Sequence, residues 1–142
     1  RPMTTAPEIY ARFLDIEAER RELEQQIAER SSRVFRLLYE RDEARSLVKR
    51  LEANITSNGG AGKVTIDGKN EKVREAQFNL ACQEDKAWVD ADRNYRAVVL
   101  EVEACERDIA VRQGVIKGKD LSMQMRISQM NYLSTPRYYK EA

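Results

Sequence analysis

Along the first third of the chain one set of positions recurs at alternating steps of four and three residues: Ile9, Phe13, Ile16, Arg20, Leu23, Ile27, Arg30, Val34, Leu37, Arg41, Ala44, Val48, Leu51 and Ile55. Eleven of the fourteen are apolar. An unbroken 3-4 spacing over more than six heptads predicts a single long helix with a coiled-coil seam. Its start falls near Pro7, behind the threonine pair Thr4-Thr5 and with Glu8 in the first turn, and its end falls near residue 56.

A second periodic stretch begins near Asn70. Its seam runs through Val73, Ala76, Leu80, Glu84, Trp88, Ala91, Tyr95, Val98, Val102, Cys105, Ile109, Arg112 and Ile116. The successive four-residue steps Leu80 to Glu84 to Trp88 have the form of a stutter, which unwinds a supercoil locally. Phe78, Val89, Val99, Leu100 and Val111 lie off this seam, so the helix has more apolar surface than one partner helix covers, which favours self-association or packing by the C-terminal segment. Gly114 and Gly118 weaken the helix while the spacing carries on through Ile116, Asp120, Met123, Ile127 and Met130. A continued helix and a separate third helix, capped by Asp120, are both open up to Pro136.

Between the two stretches, residues 57–69 hold four of the six glycines. A glycine-rich break between helices of matched length predicts a chain that folds back on itself. The expected fold is therefore all-α: one helical domain built as an antiparallel coiled-coil hairpin, with helix 1 over about 7–56, the loop at 57–69, helix 2 over about 70–113 and a basic C-terminal segment at 114–142. A seam arginine needs an acidic partner, and a single stagger pairs Arg41 with Glu84 and Arg20 with Asp108. The loop is otherwise a connector, with room for a short strand at 63–69. Gly62-Lys63 does not make a phosphate-binding loop, because position 57 is serine, position 64 is valine, and a helix precedes the loop where a strand is required.

Composition narrows the function classes. The chain has no histidine, and its two cysteines, Cys82 and Cys105, lie 23 residues apart in one expected helix, roughly 34 Å, so they neither pair with each other nor form a zinc set. Without histidine no acid and base pair stands out, and the expectation is a protein that is not an enzyme and takes no cofactor. No apolar run reaches the 18 residues of a membrane span and no signal peptide is evident, so a cytoplasmic protein without a membrane partner is expected.

Net charge is only +1, but charge is segregated. Residues 71–111 carry six basic and ten acidic side chains, whereas 112–142 carry six basic and two acidic. The basic segment interleaves Lys117, Lys119, Arg126 and Arg137 with aromatic residues including Tyr138, a combination that suits single-stranded nucleic acid because cations meet phosphates while rings stack on bases. A second basic stretch, Arg30 to Arg50, places Arg33, Arg36 and Tyr39 at helical spacing on one side. The competing expectation is that the tail docks on the acidic helix and that the helix 1 arginines are salt-bridged surface.

Chain length, the helical hairpin spanning residues 7–113, the mixed charge and these basic patches together resemble the UvsY-type recombination mediators of bacteriophages. The resemblance implies a homo-oligomer that binds single-stranded DNA and helps load a recombinase in place of a single-strand-binding protein. It lies in pattern and composition and transfers no residue roles. The alternative is a structural or adaptor coiled coil that binds protein partners and no nucleic acid.

Overall fold

The computed structural model describes residues 5–62 and 64–134. It is all-helical there, with α1 (Ala6–Asn58), α2 (Glu71–Glu84) and α3 (Lys86–Ser134) and no strand among the described residues. α1 opens on a reciprocal cap. The Thr5 hydroxyl accepts from the Glu8 N–H while the Glu8 carboxylate accepts from the Thr5 N–H, both at 3.4 Å, so two orphan donors of the first turn are satisfied. It closes on Gly59, whose φ of 76° turns the chain left-handed and whose N–H donates to the Ile55 carbonyl at 2.7 Å.

All fourteen seam positions of α1 are buried or half-buried, and every fully buried residue of α1 lies on that seam. The second helix differs from expectation. The chain breaks at Asp85, whose backbone is extended (φ −95°, ψ 105°), giving a 14-residue α2 and a 49-residue α3 in place of one helix with a stutter. The cause is capping chemistry: Asp85 Oδ1 accepts from the Trp88 N–H at 3.1 Å and starts a new helix, while the Asp85 N–H donates to the Cys82 carbonyl at 3.1 Å and ends the old one. The break resets the helical phase. Val73, Ala76, Leu80 and Glu84 are exposed, whereas from Trp88 to Met123 every seam position is covered. Residues 114–134 continue α3.

The chain forms two compact units. The first takes its described residues from 5–32 of α1 and 106–134 of α3, and the two segments run antiparallel. Glu19 meets Lys119 and Arg20 meets Asp120, each at 2.6 Å; further along, the Arg112 Nε donates to Gln26 Oε1 at 3.0 Å and Arg30 meets Asp108. Seam arginines thus have acidic partners, but the stagger expected from the sequence is wrong by 12 residues: Arg20 takes Asp120, not Asp108, and Arg41, among the described residues, reaches its neighbour Asp42, not Glu84. That stagger assumed that the helix starting at residue 70 lies against α1 throughout. The reset at Asp85 makes α3 the partner instead.

The second unit, Arg33–Cys105, holds the rest of α1, the connector, α2 and the first turns of α3. It holds a buried cluster of Ile55, Ala81 and Cys82, against which Val64, Ile66, Phe78 and Trp88 pack. Phe78 therefore serves this core and is not part of an exposed oligomer face. The stretch 64–68 is not a strand. It is tied down by Gln77, whose Oε1 accepts from the Asp67 and Gly68 N–H groups at 3.1 and 2.9 Å. Burial pushes the Cys82 thiol up to about 11, aided by the carboxylates of Glu52, Asp85 and Asp92, so it stays protonated and inert.

Candidate nucleic-acid interface

On α1, within the second unit, the four side chains Arg33, Phe35, Arg36 and Tyr39 occupy consecutive turns. All are exposed, Phe35 at 78% and Tyr39 at 67%. A helix this long has its covered face fixed by the seam through Val34, Leu37 and Arg41, so apolar residues out of that phase are carried to the opposite side. Phe35 and Tyr39, four residues apart, put two rings about 6 Å apart along the axis, with Arg36 between them in sequence and one turn from Tyr39.

The electrostatics of this face are mixed. Arg36 makes no ion pair with a described residue, while Arg33 Nη2 stands 3.6 Å from Glu101 Oε2 with both side chains largely in water, a contact worth little. Residues 33–50 carry six basic and three acidic side chains. The carboxylates lie toward the C-terminal side: Glu43 hydrogen-bonds the Tyr39 hydroxyl and raises its pKa, and Glu40 and Glu43 line an open groove with Tyr39, Ala44, Leu47, Arg50, Asn94 and Val98. Of this face, Arg33, Arg36 and Tyr39 follow from helical spacing in a basic stretch. Phe35 was not among the expected residues, and the signal that finds it is an aromatic pair at i, i+4 lying off the seam.

In the first unit the expected α3 cations divide. Lys117 is exposed and makes no ion pair with a described residue. Lys119 is held at 2.6 Å by Glu19, whose pKa falls below its ordinary value chiefly through that hydrogen bond, so its charge is already matched within the chain. Arg126 is half-buried and points an Nη1 at Met125 Sδ, 3.8 Å away. Arg137 and Tyr138 lie outside the described residues.

The glycine-rich turn offers no second anion site. The Ala61 N–H, which in a phosphate loop would face the ligand, donates at 3.0 Å to Asp85 Oδ2, so a carboxylate occupies the place of the anion. Among the described residues no group of His, Cys, Asp and Glu is arranged to hold a metal ion, and no helix is long and apolar enough to cross a membrane. Compared with known proteins, the chain matches no family model, no curated protein and no solved structure.

Proposed function

We propose that this chain is a non-catalytic, cytoplasmic, single-stranded-DNA-binding accessory protein that works as a coiled-coil homo-oligomer, in the manner of a recombination mediator loading a recombinase. The observation that carries the reading is the ring pair Phe35 and Tyr39, left in water on one face of α1 and flanked by Arg36, with Arg33 one turn before Arg36 on the edge of that face. Large rings held in solvent on a rigid helix cost free energy in the unbound protein, and stacking on bases returns it. Arginines beside them supply phosphate contacts and cation–π contributions. Lys117 is a secondary candidate, and Arg126, Arg137 and Tyr138 extend the basic segment around it. Lys119 contributes only if Glu19 releases it.

The direct test is fluorescence anisotropy with a labelled oligothymidine across a salt series. Phosphate neutralisation releases counterions, so binding must weaken log-linearly with salt. Absence of binding at low salt, by a folded protein, would reject the reading.

A second reading, an adaptor that binds protein, is favoured by the groove beside Tyr39. Its apolar floor of Ala44, Leu47 and Val98 is rimmed by Glu40 and Glu43 against a single cation, Arg50, which suits a basic amphipathic helix better than a phosphate chain.

A further inference from the structure

The C-terminal part of α3, within the first unit, carries a second seam. Val111, Gly114, Gly118, Leu121, Met125 and Ser128 recur at steps of three and four, with Arg107 and Tyr132 in the same phase at either end, and all are exposed. This set is displaced by two positions from the inner seam of Ile109, Arg112 and Ile116, so it lies about 200° around the helix, facing away from α1. Val111, Leu121 and Met125 are 64%, 65% and 57% exposed. Side chains added at Gly114 or Gly118 would meet nothing within 4 Å. Glycines cost helix stability unless something uses the space they leave, and no described residue of the protomer uses it here.

We infer that this face pairs with the same face of a second copy, antiparallel, about a two-fold axis between Gly118 and Leu121. The pairing rests on the self-association part of the function proposed above and is independent of the nucleic-acid part. Three features select the occupant and its direction. In the antiparallel arrangement each glycine faces a bulky residue of the second copy: Gly118 meets Leu121, Gly114 meets Met125, and Val111 meets Ser128, so large and small side chains interdigitate. Charge agrees. Arg107 faces the ring of Tyr132, and the flanking Lys117 faces neutral Gln124, while Asp108 is neutralised within the protomer by Arg30 and Arg112. A parallel pair would instead set Arg107 against Arg107 and glycine against glycine. The contact spans 26 residues from Arg107 to Tyr132, about 38 Å of one helix face, which puts it among small, reversible interfaces.

The test is sedimentation equilibrium of the full chain over a wide concentration range, with three variants. The mass of the unaltered protein rises with concentration from the 16.4 kDa protomer toward twice that value. Gly118→Leu is the discriminating variant, because the protomer has open space for it and a leucine favours helix. It leaves the melting temperature at low concentration unchanged or higher and raises the dimer dissociation constant at least tenfold. Leu121→Glu does the same to the dimer. Arg107→Ala loosens an antiparallel pair and tightens a parallel one. A strictly protomeric mass at every concentration overturns both the surface and the self-association reading. A mass that rises but ignores Gly118→Leu and Leu121→Glu overturns this surface alone, and tightening by Arg107→Ala overturns its direction.

Discussion

The Asp85 carboxylate joins two parts of the second unit: one oxygen accepts from the Ala61 N–H at 3.0 Å and the other from the Trp88 N–H at 3.1 Å. Asp85 is 5% exposed. One residue therefore ends α2 through its backbone N–H, and through its side chain starts α3 and fixes the glycine turn that follows α1. Asp85→Ala removes a helix cap and leaves the part-buried Ala61 N–H without its carboxylate partner, and should lower stability by about 2 kcal/mol. Asp85→Asn keeps one acceptor and should lose roughly half of that. Urea unfolding of the two variants checks the order, and equal losses would contradict the shared role.

Gly60 meets the same carboxylate from the other side. Its φ is +67°, and a Cβ there would lie 2.8 Å from Asp85 Oδ2 and 2.9 Å from Ile55 Cγ1. Gly60→Ala combines left-handed strain with overpacking against Ile55, a fully buried side chain, and should cost on the order of 2–3 kcal/mol. Thermal melts would show the loss, whereas Gly114→Ala, with no described atom near it, should raise the protomer's melting temperature.

Acid should loosen the first unit. In the folded chain Glu19 titrates below its ordinary 4.5, chiefly because Lys119 hydrogen-bonds its charged form. For Asp108 burial pushes upward, but Arg30 and Arg112 outweigh it and hold the carboxyl below its ordinary 3.8. A folded value below the unfolded one means stability that is fully present above the unfolded value and is lost as pH falls through the folded value. These two groups therefore leave the melting temperature flat from neutral pH down to about pH 5 and lower it below pH 4.5. The double variant Glu19→Gln, Asp108→Asn should flatten that acid limb, which a set of melts against pH would reveal.

The two thiols should differ in reactivity. Cys82 is 2% exposed with its pKa raised to about 11, whereas Cys105 is only half-buried. In native buffer a thiol reagent should modify Cys105 first, and Cys82 only at the rate of opening of the Ile55, Ala81 and Cys82 cluster. Equal rates would mean that the cluster is open in solution.

What could be read before the structure was periodicity. Fourteen positions of α1 at unbroken 3-4 spacing fix its covered face, and the seam from Trp88 to Met123 does the same for most of α3. The break at Asp85 was hidden because Leu80, Glu84 and Trp88, four residues apart, imitate a stutter in a continuous helix. The competing signal was local: an aspartate three residues before Trp88 is a cap as well as a surface charge. Once that reset is missed, every inter-helix pair slides, which is why Arg20 was expected opposite Asp108 and meets Asp120. Among the candidate cations, charge and spacing cannot separate the exposed Arg33, Arg36 and Lys117 from Lys119, whose partner Glu19 lies 100 residues away. Phe35 lay outside a search guided by charge, and its exposure is legible only from the pair it makes with Tyr39 at i, i+4 off the seam.

Binding of single-stranded DNA to the α1 face is tested most directly by the salt dependence of oligothymidine affinity in the unaltered protein, Arg36→Gln and Phe35→Ala, measured side by side. A phosphate contact sets the slope of log affinity against log salt, and a stacking contact sets its height. Binding through this face predicts that Arg36→Gln lowers the slope by about 0.7, one released counterion on a single strand. It predicts that Phe35→Ala leaves the slope unchanged and weakens binding roughly 5- to 150-fold, the range of one lost stack. If the protein binds and neither variant moves slope or height, the α1 face is not the site, and if it does not bind at low salt the nucleic-acid function itself is contradicted.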